Sequence, residues 1–486
     1  QSILTVTQAL VKASHFIKNN LDFDLTAPCD DLALIKYLAD FSGRDETLMD
    51  FIVQYDLPEN SPAFALISGF NTLYEKLKAE GMENLYLDVE LPLADVLYDM
   101  ERAGFKVDYN ALNSASEKYS ILIKALEEQI RDLADDPSLN VNSPKQLGDL
   151  LFEKLKIGKG KKTKTGYSTT AEILEELEGA HEIVPLILKY RHVQKLHSTY
   201  IEGFKPLIDK KTGLVHTTFN QTLTSTGRLS SKEPNLQNIP VRDEEGREIR
   251  KFFVPKSDDR ILIGADYSQI ELRLLGAFSE CKMLIDAFNS GKDIHASTAS
   301  QVFNVPIEDL TPAIRNRAKA VNFGIIYGMS EFGLAKTLKI SNAEAREYIA
   351  SYFAKYPEVK SYMDKNVAFA KETGYAKTLL GRKRYIKELS SSNYNIRQFG
   401  ERVAMNMPLQ GSSADIIKIA MINIEHLVKN YGKIDYFSIY TALAMFFLLI
   451  CAMTAICMFM SSLCESQVIA AVLGSGAPCS VLTDNI

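Results

Sequence analysis

The sequence predicts an α+β fold divided into several domains, and three observations lead to that prediction. The chain has 486 residues, too many for one compact core, so we expect roughly two to four domains. Long stretches with helical spacing of apolar residues flank a middle segment rich in strand-forming residues. Hydrophobic residues make up 46% and charged residues 24% of the chain, an ordinary globular composition that argues against disorder.

Overall charge and cysteine content exclude few classes of protein. A net charge of -6 does not suggest a nucleic-acid partner, but binding follows local basic patches rather than the total charge. The six cysteines lack metal-ligand spacing and predict neither a zinc site nor a disulfide framework. Residues 1–10 show no cationic segment before an apolar core, so we expect no signal peptide and a cytoplasmic location.

The first half of the chain predicts mainly helices. Residues 1–85 alternate apolar runs with acidic turns, as in a small α/β unit whose start is missing. A helix is predicted after Glu90, broken by Gly104 and followed by a short segment containing Val107. Another long amphipathic helix is predicted over 111–133. The basic run Lys154–Lys164 is most often a solvated loop, and its alternative role is phosphate contact.

The second half changes from strands to helices and then to an unusual tail. Strands are predicted within 216–231 and over 261–275, the latter an apolar strand with Asp266 at its end. Helical periodicity returns over 294–370, before a basic turn at 381–385. The tail has no Lys or Arg after Lys433, and its uncharged segment 436–464 is long enough to span a bilayer by the usual criterion.

Asp266 is the first residue that could carry chemistry. A carboxylate held at the end of an apolar strand can ligate a hard divalent cation. An Asp in this position is more often a loop or capping residue, and spacing alone does not reveal roles for Glu271 and Arg273 that follow it.

A second group recurs every four residues in RNRAKAVNFGIIYG. Residues at this spacing stack along one face of a helix, so two cations and two aromatic rings would form a ladder for a triphosphate and a base. An amphipathic helix with an exposed basic end explains the spacing equally well. His295 would add a phosphate donor if it lay near that face. The group consists of Arg315, Lys319, Phe323 and Tyr327.

Polar residues in two further segments could contact a nucleic acid. In TGRLSSKEPNLQNIP, Asn, Gln and Arg side chains after a hairpin could read a minor groove, or they could simply form turns. In RVAMNMPLQGSSADIIK, polar residues precede a predicted helix that Ser412 or Ser413 would cap. The residues concerned are Arg228, Asn235, Gln237, Arg402, Asn406 and Gln410.

Together these segments resemble family A DNA polymerases of the DNA polymerase I type. DYSQIELR is similar to motif A of that family and RNRAKAVNFGIIYG to motif B. TGRLSSKEPNLQNIPVR, LQGSSADIIK and KKTKTGYST also look like parts of its core. The resemblance extends from about Asp30 to about Lys429, and five motifs in the same order make it highly specific.

The resemblance implies a right-hand polymerase fold with palm, fingers and thumb, preceded by a small α/β exonuclease-like remnant. We expect an inactive, partial 3′-5′ exonuclease-like domain over 1–85, a thumb over 86–215 and a first palm segment over 216–278. Fingers would span 279–399 and a second palm segment 400–430, followed by an aberrant apolar tail over 431–486.

The resemblance also implies roles for single residues in template-directed DNA synthesis during replication and repair. Asp266 would be a catalytic metal ligand, with two Mg²⁺ ions expected, and Glu271 would exclude ribonucleotides. His295, Arg315 and Lys319 would bind the triphosphate of a deoxynucleotide, beside the stacking rings of Phe323 and Tyr327. Primer-template DNA would contact Arg228, Asn235, Gln237, Arg402 and Gln410. We expect a monomer.

Two departures from the family pattern limit this expectation. The segment 61–70 lacks the Tyr and Asp pattern of an active exonuclease, so no proofreading is expected. Nothing over 431–486 contains the His-Asp-Glu turn of motif C, which supplies the second metal-binding Asp. The chain would then be impaired in synthesis, with a catalytically dead DNA-binding protein as the alternative. A frameshift near 430–436, an inactivated gene and a membrane-anchored derivative would each explain the tail, although no stable membrane association is expected.

Overall fold

The computed structural model describes residues 31–41, 48–57, 61–164, 166–240, 244–303 and 305–431. The chain forms two compact units, residues 1–419 and 420–486. In the second unit the described residues are the C-terminal end of one long helix. The predicted apolar span over 436–464 lies outside the described residues. Within the described part, no helix is long and apolar enough to cross a membrane.

Helices dominate the described residues. In chain order the α-helices are α1 (Leu32–Ala39), α2 (Leu48–Gln54), α3 (Pro62–Ala79), α4 (Glu83–Leu85), α5 (Leu91–Ala103), α6 (Tyr109–Ala134), α7 (Pro144–Asp149), α8 (Ala171–Glu176), α9 (Ile183–Leu196), α10 (Glu244–Arg250), α11 (Ile270–Ser279), α12 (Lys282–Asn289), α13 (Ile294–Phe303), α14 (Pro312–Ile326), α15 (Glu331–Leu338), α16 (Asn342–Lys355), α17 (Pro357–Thr373) and α18 (Tyr394–Tyr431). Helical turns of π type span Tyr86–Glu90, Leu150–Lys154 and His197–Glu202, and 3₁₀ turns span Lys205–Leu207, Leu236–Asn238, Ile307–Asp309 and Lys387–Ser390.

The strands are short and form small antiparallel sheets. They are β1 (Phe105–Val107), β2 (Lys162–Thr163), β3 (Gly166–Tyr167), β4 (Leu214–Val215), β5 (Thr218–Asn220), β6 (Ser230–Lys232), β7 (Phe253–Val254), β8 (Tyr375–Lys377) and β9 (Lys383–Tyr385). Strand β1 lies between β4 and β7, with Lys106 opposite Leu214 on one side and Val254 on the other. The other strands pair as β2–β3, β5–β6 and β8–β9.

The N-terminal region differs from the α/β unit that the sequence predicts. Its described residues up to Leu85 form helices and include no strand. Asp31 caps α1 by accepting hydrogen bonds from the backbone nitrogens of Ala33 and Leu34, and buried apolar residues on α1 pack against α3. The rest of this prediction lies outside the described residues.

The helix predicted after Glu90 and its break at Gly104 are confirmed. Helix α5 ends at Gly104, whose φ of 61° lies in the left-handed region that favours glycine. A side chain at Gly104 would also meet His216, whose Nδ1 would be 2.9 Å from a Cβ. The chain then enters β1. Helix α6, capped by Asp108, confirms the predicted second helix.

Two large clusters of buried apolar side chains divide the first unit. One involves residues between Val107 and Phe252, mainly on α6, α9 and the turns that follow each of them. The other involves residues between Leu272 and Leu409, mainly on α11 to α17. These two clusters are separate cores within the described residues of the unit. The predicted boundaries of thumb, palm and fingers remain predictions.

The apolar strand predicted over 261–275 is wrong. Residues 261–266 have no strand structure, and helix α11 begins at Ile270. Ile261, Leu262 and Ile263 are 50–56% exposed. A strand is stabilised by hydrogen bonds to a neighbouring strand, and none of the strand pairs in the described part of the chain includes this segment.

A helix capped by Ser412 or Ser413 is also wrong, because α18 continues through both residues and contains Pro408. Packing outweighs the usual cost of an internal proline, since Met407 and Leu409 on either side are almost completely buried. Ser412 has a different contact: its Oγ accepts a hydrogen bond of 2.9 Å from the backbone nitrogen of Leu379.

Candidate active site

Helix α14 presents the predicted ladder on one face. Pro312 occupies its first turn, and the Thr311 hydroxyl accepts a hydrogen bond from the backbone of Ile314. Lys319 is exposed and Arg315 half-buried, while Phe323 and Tyr327 stack with ring planes 15° apart and centroids separated by 6.3 Å. The other side of the helix is buried in the second core. The four residues therefore share a partly exposed face, and their roles remain predictions.

His295 lies against this face. Its ring is 5.9 Å from that of Phe323, and the residue is only 3% exposed. The amide nitrogen of Asn322 lies 3.0 Å from Nδ1. Because that nitrogen is a donor, Nδ1 accepts, and a neutral ring carries its proton on Nε2. His295 can therefore donate a hydrogen bond from Nε2 without carrying a positive charge.

We expect His295 to be neutral at pH 7. Burial lowers the pKa of His295 from 6.5, and the cations Arg315 and Lys319 lower it further, against the opposing effect of Asp293. An NMR titration of the imidazole, assigned with His295→Gln, should give a value below 6.5. A bound triphosphate should raise this pKa, because negative charge favours the protonated ring. A pKa at or above 6.5 for His295 in the free protein would contradict the buried, neutral ring described above.

Asp293 is a member of this group that sequence reasoning missed. Its Oδ1 accepts hydrogen bonds from the backbone nitrogens of His295 and Ala296 at the start of α13. Its Oδ2 accepts from Nε of Arg315 at 2.5 Å. Asp293 thus links the guanidinium of Arg315 to the backbone of His295, and both are predicted to bind phosphate. The available sequence signal was an Asp directly before a helix, a common capping position.

A second group joins residues from three motifs. Arg228 donates a hydrogen bond from Nη2 to Oε1 of Glu271, which is 8% exposed in the first turn of α11. Oε2 of Glu271 is buried and has no hydrogen-bond partner among the described residues. Burial raises the pKa of the Tyr327 hydroxyl, and the nearby Glu271 carboxylate raises it further. Arg228, Glu271 and Tyr327 therefore lie together at the end of the ladder.

Arg402 lies beside this group. Gly328, with φ of 60°, follows Tyr327 and packs on α18 so closely that a Cβ would be 3.0 Å from Cγ of Arg402. Gln410 is half-buried two turns further along α18. Asn406 lies between them at the same four-residue spacing, which places all three on one side of the helix.

The other two predicted DNA contacts, Asn235 and Gln237, are exposed and follow Arg228 in the chain. Gln237 donates a hydrogen bond of 3.3 Å to the carbonyl of Leu229. The Asn235 side chain accepts a hydrogen bond from the backbone of Gln237. Asn235 also borders an open cleft of about 540 Å³, together with Lys195, Thr199, Tyr200, Gly203, Phe204, Leu207, Pro234 and Asn238.

Comparison with known proteins identifies the family. The model of DNA polymerase family A matches residues 109–439, more than half of the chain. This chain belongs to DNA polymerase family A. The resemblance seen in its motifs and the α+β polymerase fold that it implies are therefore confirmed.

This family A chain is similar to DNA polymerase I of several bacteria. It is 48% identical over 410 residues to DNA polymerase I of Caldicellulosiruptor bescii, covering 82% of this chain and 48% of that protein. It is 53% identical over 352 residues to DNA polymerase I of Geobacillus stearothermophilus, covering 72% and 40%. The chain spans about half the length of the curated relatives it matches. The POL domain of Pol1 from M. smegmatis, in complex with DNA primer-template and dNTP, superposes with a TM-score of 0.76 at 40% identity, covering 83% of this chain and 72% of that one.

Asp266 stands apart from the other predicted residues of the family A site. It is exposed, and it lies in the irregular segment before α11 rather than at the end of a strand. Across the described ranges, no group of three or more His, Cys, Asp and Glu could hold a metal ion. A single exposed carboxylate does not form a site for two closely spaced cations, so this part of the chain does not fit the two-metal centre implied by the family.

Proposed function

We propose that this chain is a polymerase core that binds primer-template DNA and a deoxynucleoside triphosphate, as for template-directed DNA synthesis in replication and repair. The observation that carries the proposal is the shared face of α14, where Arg315, Lys319 and Phe323 lie beside His295. The M. smegmatis domain was solved with DNA primer-template and dNTP, which supports the same two partners here.

Each residue on the face has a function that its chemistry supports. Arg315 and Lys319 attract the phosphates electrostatically, and the guanidinium can bind oxygens in a fork. Neutral His295 donates one further hydrogen bond. The stacked rings of Phe323 and Tyr327 offer an apolar surface to a base pair. Glu271 lies close to Tyr327, where a buried carboxylate would exclude a ribose 2′-hydroxyl.

Primer-template DNA would lie along the surface formed by the exposed side chains of Arg228, Asn235 and Gln237 and by the half-buried side chains of Arg402 and Gln410. The amide and guanidinium groups of these side chains can donate hydrogen bonds to the acceptors of a minor groove. Such contacts test the shape of a base pair more than its identity, as copying a template requires. We further propose the palm, fingers and thumb boundaries given above, a monomer, and no proofreading.

Mg²⁺ is the metal expected for this chemistry, in which two ions about 3.5–4 Å apart act on the attacking and leaving oxygens. Asp266 is the candidate ligand. Because the described residues do not fit a two-ion centre and the sequence after Tyr431 contains no His-Asp-Glu, we propose that synthesis by this chain is impaired. The alternative is a protein that binds primer-template DNA and has no catalytic activity.

We expect the chain to shift a labelled primer-template in a gel and to extend the primer much more slowly than an active polymerase does with dNTPs and Mg²⁺. DNA polymerase I of Geobacillus stearothermophilus serves as the active control. Arg402→Ala should weaken the affinity measured by the shift about 10- to 150-fold, since a charge-assisted hydrogen bond contributes about 1.5–3 kcal/mol. Arg346→Ala, which removes an exposed arginine from α16, should not.

The possible outcomes separate the parts of the proposal. Extension as fast as that of the control would refute the impairment and support a fully active polymerase. A shift without extension would favour the catalytically inactive binder. Absence of a shift at concentrations where the control binds fully would refute the polymerase-core proposal itself.

A further inference from the structure

Residues 224–228 form a turn that brings the Arg228 side chain to Glu271. At Gly227 the turn packs against the buried side chain of Arg382. Gly227 has φ of 83°, and a Cβ there would be 2.7 Å from Nε of Arg382. Glycine therefore satisfies two requirements at this position, a left-handed backbone and a close approach. The turn is closed by the Thr224 hydroxyl, which donates a hydrogen bond of 2.6 Å to the carbonyl of Arg228.

Arg382 belongs to a buried cluster of four charged side chains. It donates from Nε and Nη2 to Oδ1 of Asp415, at 2.9 and 2.6 Å, and from Nη2 to Oε1 of Glu90. Lys418 donates to the same Glu90 oxygen at 2.7 Å. All four residues are at most 3% exposed. Two carboxylates and two cations balance, so the cluster carries no net charge.

Further bonds connect this cluster to the segment leading into the turn. The Gln221 amide donates a hydrogen bond of 2.5 Å to Oε2 of Glu90 and another of 2.7 Å to its carbonyl. Tyr37, whose ring is 5.8 Å from the Arg382 guanidinium carbon, donates from its hydroxyl to the carbonyl of Thr224 at 2.7 Å. Together with Tyr37 and Gln221, the cluster thus holds the segment before the turn, the first residue of the turn and Gly227.

We propose that Arg382 is a positioning residue, which holds the turn 224–228 so that Arg228 reaches Glu271. The Arg228 side chain is 48% exposed, and an ion pair half in water adds little order by itself. The position of the Arg228 side chain must therefore be set by the backbone of the turn 224–228, which packs against the buried cluster. The effect on nucleotide selection rests on the proposed function, whereas the positioning itself does not.

Hydrogen exchange followed by mass spectrometry on the full chain tests this positioning. Arg382→Lys keeps the charge but lacks the fork that joins Asp415 to Glu90. Gly227→Ala leaves the cluster complete and pushes the turn away from it. Gly374→Ala is the matched control, because Gly374 has a similar φ of 81° but nothing within 4 Å of a Cβ.

We expect peptides covering 221–230 to exchange at least about tenfold faster in Arg382→Lys and Gly227→Ala, and unchanged in Gly374→Ala. Peptides of α6 should keep their exchange rates in all three proteins, which shows that each is folded. A turn that exchanges within about twofold of the parent in both variants would overturn the proposal. Equal acceleration throughout the chain would also overturn it, because the cluster would then be a general stabiliser.

The experiment uses neither DNA nor synthesis. A failed gel shift would therefore count against the proposed function and not against the positioning of Arg228. Conversely, an unchanged turn in a protein that binds primer-template DNA would refute only the positioning.

Discussion

Glu90→Gln is expected to lower the free energy of unfolding by about 3 kcal/mol at pH 7. Burial tends to raise the pKa of Glu90, but Lys418 and Arg382 outweigh it and lower the pKa from 4.5 to about 2. A difference of about 2.5 pKa units corresponds to about 3 kcal/mol. Removing one partner of a buried ion pair typically costs about 3–5 kcal/mol, so two separate arguments give a similar size.

The pH dependence of this effect has a definite sign. The folded-state pKa lies below the unfolded value, so the contribution of Glu90 is complete above about pH 4.5 and is lost as pH falls toward 2. Burial lowers the pKa of Lys418 to about 8, and although Glu90 opposes this shift, Arg382 adds to it. Lys418 thus remains mostly protonated at pH 7. The difference between parent and variant should shrink below pH 4.5.

Urea unfolding of the full chain measures the change. Glu331→Gln is the matched control, since it makes the same substitution at an exposed pair with Arg346, where solvent screening leaves only a small loss. If Glu90→Gln unfolded within about 0.5 kcal/mol of Glu331→Gln, the cluster would not contain the strongly coupled charges described above.

Local spacing predicted the parts of the site that depend on one element. Arg315, Lys319, Phe323 and Tyr327 share a face because helical geometry alone sets their four-residue repeat. The break at Gly104 was equally local, because glycine readily adopts the left-handed conformation found there. Fold class and family also followed from the sequence, since five motifs in order constrain the chain far more than composition does.

Features that depend on distant residues were not predictable in this way. The strand expected over 261–275 needed a neighbouring strand, which no local pattern can guarantee. Ser412 was read as a helix cap, but its hydroxyl accepts from Leu379, which is 33 positions away. The buried cluster joins Glu90 to Arg382 across 292 positions, and nothing near either residue indicates its partner. Asp293 was missed for the same reason, because its capping pattern does not reveal Arg315.

Lys319→Ala is expected to weaken deoxynucleotide binding by about 10- to 150-fold while changing primer-template binding by less than about twofold. Lys319 is exposed on the proposed triphosphate face of α14. A hydrogen bond from a charged donor contributes about 1.5–3 kcal/mol. Without Lys319, Arg315 is the one cation of the ladder left to attract the triphosphate. The affinity should be measured with a primer lacking its 3′-hydroxyl, so that the result does not depend on synthesis.

Arg317→Ala supplies the control for this prediction. Arg317 is exposed on the same helix but lies two residues before Lys319, about 200° around the helix axis and therefore off the ladder. Both variants lose one cation from α14, so a general electrostatic effect would weaken nucleotide binding equally in the two. A loss confined to Lys319→Ala would instead require direct contact with the phosphates. If Lys319→Ala reduced DNA affinity more than nucleotide affinity, this face of α14 would bind primer-template DNA, and the assignment of the ladder to the triphosphate would be wrong.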